Sequence, residues 1–240
     1  MKSPRPASLV IARRELAAYF SGPIAYIVSG LFLAFTGFLF FSTFFLVNRA
    51  ELRGFFALLP IMFAFFVPAL TMRLFSEEWR SGSIETLLTL PVSSLDVSLG
   101  KFAAAFCFIV CMLLPTLSYV ITATVLGAPD AGPIIGGYLG ALFLAASFSA
   151  IGLFASSLTA NQIVAFFIAF SISIALALVD IFLVILPAPV VGFLQFISAG
   201  AHFQSISRGI LDSRDLLYFV SLTAAFLALT VKTLDLRRAG

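Results

Sequence analysis

AGPIIGGYLGALFLAASFSAIGLFASSLTANQIVAFFIAFSISIALALV, residues 131–179, runs for 49 residues without an acid or a base. Crossing the hydrocarbon layer takes about 20 predominantly apolar residues, so this run has room for two crossings. The interval Ser156-Ser157-Leu158-Thr159-Ala160-Asn161-Gln162 is polar enough to form a tight turn between them. Outward from this stretch the pattern repeats: residues 21–48, 54–72 and 102–129 are also free of charge, and a last apolar segment lies between Asp215 and Arg237. The chain is 61% hydrophobic and 10% charged, where a soluble domain is near half apolar and about a quarter charged. A soluble fold is excluded on that balance, and the fold class is all-α, a polytopic membrane protein.

Six spans are predicted, at 22–47, 55–72, 102–126, 134–155, 163–186 and 216–234. Six put both termini on one side. That side carries ten Lys and Arg, counting Lys2, Arg5, Arg13, Arg14, Arg73, Arg80, Lys101, Lys232, Arg237 and Arg238. The other side carries four: Arg49, Arg53, Arg208 and Arg214. The positive-inside rule then predicts cytoplasmic termini. The basic residues sit at span ends and form no continuous face, so the net charge of +3 is an orientation signal and not a nucleic-acid footprint. No cleavable signal is expected, because the basic N-terminus leads into a long apolar stretch without a small-residue cleavage site.

Pro187, Pro189 and Gly192 interrupt a seventh apolar segment, 181–201. It is read as a broken, partly embedded hairpin on the outer side, since irregular backbone at membrane depth needs shelter. Phe203, Ile206 and Ile210 predict an outer amphipathic helix after it. At the N-terminus, Leu9, Ala12, Leu16 and Phe20 recur at helical spacing away from Arg13, Arg14 and Glu15, which predicts an amphipathic interfacial helix. Gly132, Gly136 and Gly140 form a small-residue stripe for close helix approach, within one chain or between two copies. Cys107 and Cys111 lack nearby ligands and are expected to pack as small hydrophobes against neighbouring helices.

The loop at 73–101 holds seven of the 25 acidic and basic residues. Gly82 breaks the helix before it, Ser83 can cap a new one, and Glu85 falls near its positive end. Pro91 stops that helix after about two turns, and Ser93 with Asp96 makes a capping box for the next. Ile84, Leu87 and Leu88 then share one face of a short helix. Such a helix is marginal in water alone and needs a partner or the membrane surface to cover that face.

SEEWRSGSIETLLTLPVS at 76–93, followed by LGKF at 99–102, resembles the signature of ABC-2 type permeases, closest to the gliding-motility (GldF-like) branch. SRGILDSRDLLYF at 207–219 resembles the same branch. The resemblance implies one ABC-2 transmembrane domain over 1–240, with a coupling helix at Ser83–Leu90 docking into a separate cytoplasmic ABC ATPase. It places Glu77, Glu78 and Arg80 at the junction of that helix with span two, so the ATPase-coupling residues would be Glu77, Glu78, Arg80, Ser83, Ile84, Glu85, Leu87 and Leu88. It further implies a second permease copy, an outer-side accessory protein as an additional partner, and the bacterial cytoplasmic membrane.

Within the chain nothing builds an ATP cradle: the pattern G-x-x-x-x-G-K-S/T fails because Phe102 follows Gly100-Lys101 and Leu95 occupies the upstream glycine position. ATP and Mg are therefore expected on the partner, with no cofactor and no catalytic residue in this chain. A lone histidine, His202, excludes the common histidine-rich zinc sites. It is read as a loop histidine with its hydrogen bonds met, with a protonation role left open. Asp180 reads as the sole acid inside a span, which makes it a candidate substrate or proton site and supports an alternative, a proton- or ion-coupled secondary transporter.

Overall fold

The computed structural model describes residues 6–47, 51–84, 92–182 and 188–239. Among them every regular element is helical: α1 (Ala7–Ser21), α2 (Pro23–Val47), α3 (Arg53–Thr71), α4 (Arg73–Ser81), α5 (Ser94–Leu113), α6 (Leu117–Leu126), α7 (Ala131–Leu158), α8 (Gln162–Phe182), α9 (Ala188–Ile197), α10 (Ala199–Ser207) and α11 (Ser213–Ala239). Six stretches are long and apolar enough to cross a membrane: 23–46, 53–81, 94–126, 131–158, 162–180 and 213–238. They correspond one to one with the six predicted spans and extend several of them at the ends.

The local signals account for the breaks. Span three joins α5 to α6 through a 3₁₀ turn at Leu114–Thr116, where Pro115 can supply no backbone donor. Thr116 donates to the Leu113 carbonyl at 2.6 Å and shares a hydrogen bond with Tyr138 of α7, which ties the bend to the bundle. Between α7 and α8 the turn lies within the polar interval read from the sequence, and Asn161 Oδ1 accepts the backbone N–H of Ile163 as a cap. The interrupted segment before the last span resolves into two short helices, α9 and α10.

α7 is the hub, packed against α3, α8, α10 and α11. Its small residues permit this. A side chain on Gly137 would strike the Phe56 ring of α3, one on Gly152 would strike Thr71, and one on Gly136 would strike the Ile206 carbonyl of α10. A side chain on Gly140 would come within 3.2 Å of Phe203 and 3.3 Å of Ile206 of α10. The glycine stripe is thus occupied inside the protomer, which removes it as support for contact between copies.

Two further expectations are corrected, those for the cysteines and for the outer helix. α1 is anchored on the bundle through Ile11 and Tyr19, both buried, while Leu9 and Phe20 of the expected apolar stripe are exposed at the surface. Its anchoring partner is α5, which it crosses so closely that a side chain on Gly100 would come within 2.7 Å of the Ser8 carbonyl. Cys107 and Cys111 lie exposed on the outer surface of α5, since a spacing of four puts both on the face turned away from the bundle. Phe203 and Ile206 are fully buried against α7, whereas Ile210 follows the end of α10 and is exposed.

Candidate functional site

At one end of the bundle the charged loop, the C-terminus of α1 and the end of α11 meet. α4 continues from α3 and stops at Gly82, whose φ of 71° lies in the left-handed region that glycine adopts without cost. Ser83 and Ile84 resume helical geometry. On the far side of the loop, Ser93 caps α5 by accepting the Asp96 N–H at 3.0 Å, as its sequence signature predicts.

The centre of this junction is Lys101, which is 1% exposed. Its ammonium carries three protons, and three acceptors surround it: Glu78 Oε1 at 2.8 Å, Glu15 Oε1 at 3.2 Å and the Leu74 carbonyl at 2.7 Å. One cation facing two carboxylates leaves an excess negative charge. Arg14 offsets it, 3.0 Å from Glu15 and 3.6 Å from Glu78. The four side chains come from α1, α4 and α5, so the cluster is a neutral rivet through three helices. Glu78 Oε2 is buried without a hydrogen-bond partner among the described residues.

Around the rivet, neutral contacts extend the fastening. Tyr19 of α1 donates to the Leu70 carbonyl of α3 at 2.9 Å, stacks on Phe108 of α5 at 5.0 Å, and lies under the Arg73 guanidinium at 4.9 Å. Burial raises the Tyr19 phenol above its ordinary value of 10.0, outweighing the opposite pull of Arg73. Ser76 donates to the Ser156 carbonyl, joining α4 to α7. From the other flank Arg237 of α11 stacks over Trp79 at 4.3 Å and donates to the Leu158 carbonyl at 2.6 Å. Ser94 donates to Asp235, and Arg238 donates to the Val92 carbonyl. A pocket of about 440 Å³ opens beside Tyr19, Arg73, Glu77, Ser83 and Lys101.

A model of the family described as ABC-2 family transporter protein matches residues 16–184, more than half of the chain and including the loop between spans two and three. The chain belongs to the ABC-2 transporter family. No curated protein matches the chain. As an ABC-2 chain it is of a family of membrane subunits that work with a partner ATPase, and its six apolar helices make it multi-pass.

Placed on the structure, the expected coupling residues of this ABC-2 chain divide. Glu77 and Arg80 are exposed, Ser83 is exposed, and Glu78 is turned into the rivet. Ile84, expected on an outward apolar face, is 1% exposed and belongs to the chain's own core. Glu85, Leu87 and Leu88 lie outside the described residues. Lys101, Glu15, Tyr19 and Arg237 complete the junction but were not among the residues singled out from sequence. Lys101 was legible only as a basic residue at the start of an uncharged run, and its partners lie 86 and 23 positions away.

The opposite end holds Asp180. Its Oδ2 accepts a hydrogen bond from Gln204 at 3.0 Å, while Oδ1 is buried without a partner among the described residues and lies against Gly200. Asp180 therefore links α8 to α10. It is not the sole acid of its kind, because Asp215, in the first turn of α11, is 7% exposed and contacts His202.

Proposed function

We propose that the chain is the membrane-spanning permease subunit of an ATP-binding-cassette exporter of the GldF-like branch, driven by a separate cytoplasmic ATPase. Two copies pair around the transport path in the bacterial cytoplasmic membrane, with termini and charged loop in the cytoplasm and an accessory protein on the outer side. The ATPase docks on the segment Ser83–Leu90 through Leu87 and Leu88, with Glu85, Glu77 and Arg80 at the rim. Ile84 is the inward anchor of the same segment.

The observation that carries this reading is the junction itself. A loop that receives a push from a partner moves the spans only if it is fastened to them, and a hydrated loop would absorb the displacement. Here α4 is fastened to α1 and α5 through Lys101, to α7 through Ser76, and to α11 through Trp79 and Arg237. Closely packed elements have few intermediate arrangements, so motion at one end is passed on as a body. Rim charges such as Glu77 and Arg80 set register and encounter rate more than affinity.

Affinity purification of the native complex followed by mass spectrometry under non-denaturing conditions tests the proposal. Two permeases with two ATPases are expected. Transport by the chain alone, driven by a proton gradient and abolished by Asp180→Asn, would replace the proposal with the secondary-carrier reading.

A further inference from the structure

On the end of the bundle away from the charged loop, α9 packs against α8, and α10 packs against α7, α8, α3 and α11. His202 of α10 stands at their meeting point. Its Nδ1 lies 2.6 Å from Asp215 Oδ1, its Nε2 lies 3.1 Å from the Phe196 carbonyl oxygen of α9, and its ring stacks on Tyr218 of α11 at 4.2 Å. Tyr218 in turn donates to the Ile197 carbonyl.

Both partners of the imidazole are acceptors. A carbonyl oxygen has no proton to give, and an ionised carboxylate has none either. A neutral imidazole carries one N–H, so either tautomer would point a nitrogen lone pair at an oxygen lone pair. With Asp215 ionised, only the imidazolium, with two N–H groups, satisfies both contacts. The same proton on Asp215 would satisfy them too, so it is the pair that binds one proton, and Asp215 Oδ2 is buried without a hydrogen-bond partner among the described residues. Asp215 is suited to remain its counter-ion, since it lies in the first turn of α11 at the positive end of the helix dipole. At 2.6 Å the contact is as short as a charge-assisted hydrogen bond.

We propose that His202 is a proton-binding site: held as an imidazolium between Asp215 and the Phe196 carbonyl, it pins α9 and α10 to the start of α11, and loss of its proton to water frees them. The elements packed against α10 carry few groups that could compete. Glu51 and Arg53 before and on α3, Asp130 and Tyr138 before and on α7, Asp180 on α8, Arg208 and Asp212 between α10 and α11, and Arg214, Asp215 and Tyr218 at the start of α11 are the titratable or charged side chains at this end among the described residues. Of these, Asp215 and Tyr218 touch the imidazole, and Asp180 is engaged with Gln204 instead. Because α10 also fills the glycine stripe of α7, its release would open the bundle on this face.

The chain has one histidine, so ¹⁵N-histidine labelling of this chain in lipid nanodiscs gives one pair of ring nitrogens. At pH 7 both nitrogens should carry protons in the wild type, and at pH 9 one should be bare. Asp215→Asn should show the neutral ring already at pH 7. A neutral ring in the wild type at pH 7, or no change in Asp215→Asn, overturns the site. Hydrogen exchange of the amides at 199–207, corrected for intrinsic rates, reads the pinning. Opening should rise about tenfold in the wild type between pH 7 and pH 9, as expected for losing one charge-assisted hydrogen bond. It should be independent of pH in His202→Gln. A titrating histidine with unchanged exchange at α10 would refute the latch, and the wild-type measurements decide this without relying on a variant that folds.

Discussion

Replacing Lys101 with methionine keeps the length of the side chain and removes its charge. The consequences follow from its surroundings: the ammonium is 1% exposed, and Glu15 and Glu78 would be left facing one another across the vacated position with only Arg14 in reach. Removing one partner of a buried ion pair costs about 3–5 kcal/mol. Glu15 and Glu78 keep 15% and 16% of their side-chain exposure and both keep Arg14, so water and a remaining cation moderate the loss. The expected cost is at the low end, about 3 kcal/mol, or roughly a hundred-fold in the unfolding equilibrium. Trp79, the chain's single tryptophan, adjoins Glu78 and reports directly on this junction by fluorescence during unfolding in mixed micelles. Adding Glu78→Gln to Lys101→Met removes one stranded carboxylate, so the double variant should be more stable than the sum of the singles by about 1 kcal/mol or more. A single variant within about 0.5 kcal/mol of wild type, the range of an ordinary surface substitution, would refute the rivet.

Other outcomes follow from the same structure. Burial raises the Tyr19 phenol, so its neutral form is favoured by folding; its contribution is complete below pH 10 and is lost as pH rises beyond, and Tyr19→Phe should flatten that alkaline fall in a stability profile. Gly136→Ala forces a methyl against the Ile206 carbonyl and should cost about 1–3 kcal/mol, read by thermal unfolding, while Gly30→Ala, which meets open space, should not. Cysteines introduced at 50 and 82 of a Cys107→Ser, Cys111→Ser background report topology: an impermeant thiol reagent outside intact cells should label 50 and leave 82 untouched, and the reverse pattern would invert the orientation.

The spans were legible because lipid imposes a one-dimensional rule, namely length without charge, and 131–179 satisfies it twice. Turn and cap chemistry was equally local: Gly82 and the Ser93–Asp96 pair each act within four residues, whereas the break at Pro115 inside span three was not read from the sequence. What the sequence withheld is contact between distant segments. The charge of Lys101 entered the reading as an orientation signal, because nothing in the order of residues says that Glu15 and Glu78 converge on it. Asp215 was read as a span boundary, though the fold buries it against His202. For α1 the helical spacing of Leu9, Ala12, Leu16 and Phe20 was visible, but nothing local announced that Ile11 and Tyr19 would be the residues buried at the tight crossing with Gly100. The glycine stripe of α7 likewise fitted packing inside or between chains until α10 was seen to fill it.

The central claim is that the charged loop couples this permease to an ATPase, and the double substitution Leu87→Asp, Leu88→Asp tests it most directly. Both positions lie between the second and third predicted spans, so the spans should still insert. A carboxylate buried in an apolar groove without a partner is costly, so the variant should reach the membrane at wild-type levels yet lose the ATPase on purification, with transport abolished. ATPase binding and transport at wild-type levels in this variant would contradict the account.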